Sequence, residues 1–305
     1  MLTVTLFGGS GFIGRALVQK FAERGDRIRV AVRNPLSAQF LKPLGEIGQI
    51  IPIQASVTSI ADIQHAIEGS DIVINLVGLL YESGSQTFEA IHVEGAKSIA
   101  KVASKLGIPT LLHMSALGVT KGSKSRYAST KARGEEAVLK HFPRAIVFRP
   151  SIVFGPQDAF FNRFASMARY SPALPLIGGG HTKMQPIYVE DVADCFMNSI
   201  HFEQFGGKIF ELGGPTVYSF KYLMEYLLEV IHRRRLLIPV PFMMAKGMAS
   251  IAQFFPGVPL TPDQVELLKT DNILTTQSLK AEDLHVRPKA METIVPLYLE
   301  RYGRK

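Results

Sequence analysis

Apolar positions in the first half of this chain alternate between two rhythms. Leu2 to Phe7 is a strand-like run that stops on Gly8-Gly9-Ser10-Gly11, and a helical spacing follows at once, with Phe12, Ile13, Leu17, Val18 and Phe21 on one face. The alternation recurs, with strands predicted at 28–32, 50–54, 71–78, 110–114 and 145–149 and helices at 60–69, 87–106 and 127–141. The polar stretch before 50 has room for a short helix. "DIVINLVG", 71–78, is almost continuously apolar, as in a strand covered on both faces. Repeated strand–helix units with right-handed crossovers imply an α/β fold built on a doubly wound parallel sheet, with ligands at the carboxyl ends of the strands.

After Pro150 the rhythm loosens. "SPALPLIGGG", 171–180, is turn-rich, a strand fits 209–212, and helices fit 219–232 and 262–268. The expected division is a nucleotide-binding domain over 1–150 and a smaller irregular lobe over 151–305, with some late segments returning to the sheet.

The glycines at 8, 9, 11 and 14 carry the first candidate chemistry. They accept positive φ and let a ligand approach the backbone, while the open amides and dipole of the following helix favour an anion. Both Gly9-x-Gly11-x-x-Gly14 and Gly8-x-x-Gly11-x-x-Gly14 match dinucleotide patterns, and the strand before and helix after give the context such patterns need. A purely structural turn is the alternative. The reading is therefore a Rossmann-type site for a dinucleotide diphosphate.

In such sites an acid beyond the second strand holds the ribose hydroxyls of NAD, and an arginine accommodates a 2′-phosphate. Here the strand ends Ala31-Val32-Arg33-Asn34, with no acid. Arg33 offers a phosphate fork, and Arg15 a second charge. NADP(H) is expected over NAD(H); Arg33 as a mere surface residue is the competing reading.

"RYASTKARGEE", 126–136, sets Tyr127 and Lys131 one helical turn apart just after a central strand. An ammonium beside the phenol would favour phenolate and suit acid–base work, with Ser115 holding a substrate oxygen from the other side. Standing alone, a Tyr-x-x-x-Lys pair is more often a solvated helix face.

Composition trims the field. Charged residues are 20% and hydrophobic ones 47% of 305, as in folded proteins, and the net charge of +8 suits anionic ligands or acidic membranes. The chain lacks a zinc-ligand series, a basic recognition helix and an aromatic–basic RNA motif, so nucleic acid is not an expected partner. Cys195 is the one cysteine, which excludes an intrachain disulfide. His113 and His181 lack companions at metal-ligand spacing, so no metal is expected. Glu190 and Asp191 fit the start of a helix better than an acid–base dyad.

No run of about 20 uncharged apolar residues is present, so no transmembrane segment is expected. With a strand opening at Leu2, no leader is expected and the chain reads as cytoplasmic. "HRRRLLIPVPFMMAKGMASIAQFF", 232–255, joins a basic cluster to a Met-rich apolar stretch. Covering the cofactor cleft or filling the small lobe's core is favoured over resting on a membrane or partner, because prolines break the helical period.

Together the glycine turn, "INLVG" at 74–78, "YASTK", "FRPSIVFGP" at 148–156 and "PIYVEDVA" at 186–193 resemble the extended and atypical short-chain dehydrogenases/reductases over at least residues 3–193. "AIHVEGAKSIAKVASKLG" at 90–107, "HMSALG" at 113–118 and "TPDQVELLKTDNIL" at 261–274 make the chain most similar to the group of the nucleotide-binding accessory subunit of respiratory complex I and its bacterial relatives. That resemblance implies tightly held NADPH, a role more structural than catalytic, and a respiratory or other membrane-linked complex as partner, peripheral at the inner membrane face. The alternative it leaves is an active reductase or epimerase on a sugar nucleotide or other carbonyl substrate.

By the same resemblance Gly8, Gly11 and Gly14 form the pyrophosphate turn, and Ser10, Phe12 and Ile13 present amides to it. Arg33, with Asn34, meets the 2′-phosphate. Asn75, Val77 and Gly78 lie under the adenosine half, Tyr127, Lys131 and Ser115 form the active site, and Pro150 and Ile152 flank the nicotinamide. Phe7, Ser56 and His92 depart from the family's usual Thr, acidic residue and Asn, and only 12 positions separate Ser115 from Tyr127. Ala116 is a second candidate for the serine's place.

Overall fold

A computed structural model describes residues 1–252 and 261–303. The opening unit is strand β1 (Thr3–Phe7), the glycine turn and helix α1 (Phe12–Glu23). Then come β2 (Arg27–Val32), a 3-10 stretch (Pro35–Leu44), β3 (Ile50–Gln54), α2 (Ile60–Ile67) and β4 (Ile72–Asn75). A wide π turn (Glu89–Gly95) runs into α3 (Ala96–Lys105), followed by β5 (Thr110–Met114), α4 (Arg126–His141) and β6 (Ile146–Pro150).

Seven parallel strands form the main sheet in the order Ile209–Leu212, β6, β5, β4, β1, β2, β3. The order reverses between β1 and β4, and there the register sets Phe7, Asn75 and His113 side by side at the carboxyl edge. This is the crevice in which doubly wound sheets take their ligands. One face is covered by α1 and by α6 (Val189–Ser199), through Leu17, Val18, Phe21, Val192 and Phe196. The other is covered by α2, α3 and α4, through Ile63, Ile67, Ile99, Ala100 and Val138. Glu190 and Asp191 stand in the first turn of α6, as the dipole favours, and Lys20 of α1 pairs with Glu190 and Asp194 at 3.3 and 2.7 Å.

A separate core joins α5 (Phe161–Tyr170), α7 (Phe220–Val230) and the late helix Met291–Leu299. It also carries a parallel pair that the apolar pattern did not predict, Ala173–Ile177 with Leu236–Val240. Helix α8 (Phe242–Ala252) packs beside α9 (Pro262–Leu267). Residues 253–260, which include the end of the Met-rich stretch, lie outside the described residues.

Candidate functional site

The turn after β1 is closed by its own backbone. Gly8 takes φ +83°, and its carbonyl accepts from the Gly11 amide at 3.0 Å. Gly11 caps α1 without a side-chain hydrogen bond, and the amides of Phe12, Ile13 and Gly14 form the first turn above it. A Cβ on Gly14 would collide with the Gly8 carbonyl and lie 2.6 Å from Gly9 Cα, so only glycine lets the helix sit this close to the strand end. On Gly11 the same atom would meet only the Gly8 carbonyl oxygen, at 3.2 Å. Arg15 is tied across the turn, its Nε donating to the Ser10 carbonyl at 3.1 Å and Nη1 to Gln157 Oε1 at 2.6 Å, with Phe40 under the guanidinium.

At the end of β2, Arg33 is exposed and has no hydrogen-bond or ion-pair partner among the described residues. Asn34 is occupied locally: its Oδ1 accepts from the Leu36 amide at 3.0 Å and caps the 3-10 stretch. After β3, the Ser56 amide donates to Asp62 Oδ2 at 2.9 Å, which holds that carboxyl below its ordinary range.

Two neutral histidines hold the loop after β4. Asn75 Oδ1 accepts from the Val77 amide at 3.1 Å, so its Nδ2 donates to His113 Nδ1 at 3.2 Å. His92 lies in the π turn, where Nε2 accepts from the Leu79 amide at 2.9 Å. Its proton therefore sits on Nδ1 and is shared with Thr130 Oγ1 at 3.1 Å, which in turn donates to the Arg126 carbonyl at 2.7 Å. Burial, then the Lys131 charge, lowers His92 to about 3, and His113 also lies well below 6.5 for the same causes. Gly134 lets α4 touch the π turn, since a Cβ there would collide with the His92 carbonyl. His92 thus does backbone-positioning work, and its place in a π turn shows only in three dimensions.

Tyr127 and Lys131 open α4 as expected, but their chemistry differs from the sequence reading. Lys131 is 4% exposed, and its Nζ donates to the Met114 carbonyl at 2.6 Å. Burial brings it down to about 8, opposed by the charge of Glu135. Tyr127 stands edge-on to His92 with centroids 5.4 Å apart, and burial followed by the charge of Asp263 pushes its hydroxyl up to about 12. The expected drop toward phenolate is therefore reversed. The lysine shares the helix side, but its ammonium is turned to the tip of β5, and the charge felt by the phenol is a carboxylate. Ser115, 3% exposed at that tip, has an Oγ with no partner among the described residues. A Cβ on Gly78 would come 3.8 Å from both Lys131 Nζ and His92 Nε2, so the loop after β4 and the start of α4 converge on this point.

The opposite wall is stitched by a distant segment. The Pro150 carbonyl accepts from the Leu117 amide at 2.9 Å, and the Ile152 carbonyl from the Ile187 amide at 2.9 Å. Asn272 joins the two walls: its Oδ1 accepts from Ser151 Oγ at 2.6 Å and its Nδ2 donates to the Leu117 carbonyl at 3.2 Å. Asp263 accepts from Ser125 Oγ, the Arg126 amide and the Tyr127 amide at 2.8, 2.6 and 3.2 Å, placing a carboxylate on the positive end of α4. Neither residue stands out in the sequence, where the segment matters only for its resemblance.

A parallel sheet reversing at β1 and β4, with a glycine turn at the reversal, defines a dinucleotide-binding class of fold. The family model "NAD dependent epimerase/dehydratase" matches residues 4–213, and the chain belongs to that family, the extended short-chain dehydrogenases/reductases. It is 33% identical to the mitochondrial NADH dehydrogenase (ubiquinone) 1 alpha subcomplex subunit 9 of Arabidopsis thaliana, over 99% of this chain and 78% of that one. With the mouse protein of the same name it shares 31% over 95% of this chain and 78% of that one. Among solved structures, the dTDP-glucose 4,6-dehydratase of Bacillus anthracis in complex with NAD superposes with a TM-score of 0.74 at 18% identity, covering 99% and 96% of the two chains, which shows the shared fold. No helix among the described residues is long and apolar enough to cross a membrane.

Proposed function

We propose that this protein holds NADP(H) and serves as a nucleotide-loaded accessory component of a respiratory, membrane-linked assembly on its cytoplasmic side. The observation that carries the nucleotide choice is the end of β2, where an exposed Arg33 without a partner among the described residues stands and an acid does not. Gly8, Ser10, Gly11, Phe12, Ile13 and Gly14 would surround the diphosphate, and the open side of Gly11 is where its backbone admits a ligand. Arg33 and Asn34 would meet the 2′-phosphate. Asn75, Val77 and Gly78 would lie along the adenosine half, and Pro150, Ile152 and Lys131 along the nicotinamide.

The accessory role is supported by the names of the relatives, which are complex I subunits, and by a Tyr127 hydroxyl pushed up to about 12, away from the range that suits acid–base work. The nucleotide would stabilise the fold by mass action. The test is to identify the nucleotide that copurifies and to time its release. NADPH released slowly is expected; purified, folded protein without affinity for any nicotinamide dinucleotide overturns the proposal.

One observation favours a second reading, an NADP(H)-dependent reductase or epimerase on a carbonyl substrate. Ser115 Oγ is buried and has no partner among the described residues, one position after the Met114 carbonyl that takes the Lys131 ammonium, as suits a group awaiting a substrate oxygen. Bound nicotinamide would supply the hydride, while Ser115 would orient the oxygen and Tyr127 would hold the proton. Turnover on a carbonyl panel that collapses in Tyr127→Phe would select this reading; a nicotinamide that stays unchanged across the panel removes it.

A further inference from the structure

The small lobe carries an apolar face that no described residue covers. Tyr170, Leu236, Ile238, Met243, Met244 and Met248 are each between 49% and 86% exposed. Leu236 and Ile238 alternate along the strand paired with Ala173–Ile177, and the intervening Leu237 packs into the lobe's core. In α8 the inner face is Ala245 and Ala249, both buried with Val265 of α9, which leaves the methionines on the opposite side. Tyr170, at the end of α5, adjoins the strand, because the Leu236 amide donates to the Pro172 carbonyl at 3.1 Å and Arg235 Nε to the Ala168 carbonyl at 2.8 Å. Ala245 and Ala249 fill core, as expected of this stretch, whereas the methionines stay exposed.

Charge indicates what such a face meets. Arg169 stacks over Tyr170 with its guanidinium 5.7 Å from the ring centroid, and Arg234 is exposed at the head of the strand. Lys246 lies on the flank of α8 toward α9, 4.0 Å from Glu266, which it shares with Lys269. A flexible apolar surface rimmed by cations, on a chain of net charge +8, complements anionic headgroups above an acyl layer. We propose that this face rests on an anionic lipid bilayer, with the methionines and Leu236 at the acyl boundary and Arg169, Arg234 and Lys246 at phosphate level. The proposal is independent of what the nucleotide site does.

The chain has no tryptophan, so Met244→Trp introduces a single reporter on the α8 part of the face. Its emission is expected to shift blue, and the full chain to cosediment, with vesicles containing phosphatidylglycerol but not with pure phosphatidylcholine. Raising the salt should weaken binding. Arg234→Ala should weaken it roughly fivefold, and Met243→Glu with Met248→Glu should weaken it more than tenfold at an unchanged thermal midpoint. Absence of binding to anionic vesicles, as expected if the face takes a protein instead, overturns the proposal. So does cosedimentation with an unmoved Trp emission, which would place the contact elsewhere.

Discussion

The carboxylate of Asp263 accepts a hydrogen bond from the amide of Tyr127 at 3.2 Å, across 136 positions of sequence. A short late helix thereby sets both the start of α4 and the electrostatics of its tyrosine. Asp263→Asn keeps one acceptor and loses the charge, so stability should fall by about 1–2 kcal/mol. The Tyr127 hydroxyl, at about 12 in the native protein, should titrate lower and yet stay above its ordinary 10.0, because burial is the larger cause. Ring-labelled tyrosine NMR reads this; an unmoved titration would show that the carboxylate is not felt.

Acid should destabilise the fold through its histidines. His92 is neutral when folded, its value lowered from 6.5 to about 3, so below 6.5 the unfolded chain binds the additional proton. Stability is fully present above pH 6.5 and is lost as pH falls toward 3, by about 2 kcal/mol at pH 5. His113 acts in the same direction. Urea midpoints between pH 5 and 8 should show this slope, and His92→Gln should make it shallower, leaving the share of His113.

Two glycine substitutions should separate packing from backbone strain. Gly14→Ala forces its new atom into the Gly8 carbonyl, at a cost of about 2–3 kcal/mol and with loss of dinucleotide affinity. Gly25, with φ +84° and open space around its Cα, should cost only about 1 kcal/mol on change to alanine and leave nucleotide binding intact. Equal effects in both binding assays would contradict the assigned role of the turn.

Ser115→Ala removes a hydroxyl that has no partner to lose among the described residues. Chemical denaturation of the ligand-free protein should move by less than ~0.5 kcal/mol. If the protein turns over a carbonyl substrate, the same change should lower kcat while the nucleotide remains bound. A large loss of stability would mean that the hydroxyl serves the fold.

Arg33→Asp supplies the acceptor that a free ribose hydroxyl needs and removes the phosphate fork. NADPH affinity should drop roughly 10- to 100-fold, with NADH gaining, as read by calorimetric titration. Unchanged preference would leave Arg33 as a surface residue.

The readable parts of this fold were local. Strand, turn and helix over residues 3–23 declare themselves because apolar spacing and glycines sit within one short window, and Ile50–Gln54 and Thr110–Met114 lie where the pattern put them. The strand expected over 71–78 ends at Asn75, whose side chain takes the Val77 amide, and the helix expected over 87–106 opens as a π turn to seat His92. Tyr127 and Lys131 were visible from their spacing of four, but the partners that decide their chemistry were not. Met114 offers a backbone carbonyl, which no residue type announces, and Asp263 arrives from another part of the chain. The pair Ala173–Ile177 and Leu236–Val240 is hidden for a related reason: prolines within both segments mask strands whose partners are far apart.

The stitches made by Asp263 and Asn272 also bear on how the protein is born. As the chain leaves the ribosome, its glycine turn and the six strands through Pro150 can assemble early, but Ser151, Leu117 and the start of α4 wait for carboxylate and amide groups not yet synthesised. A nascent chain stalled before residue 263 would therefore carry a nearly finished sheet with a gaping mouth, a natural client for a chaperone.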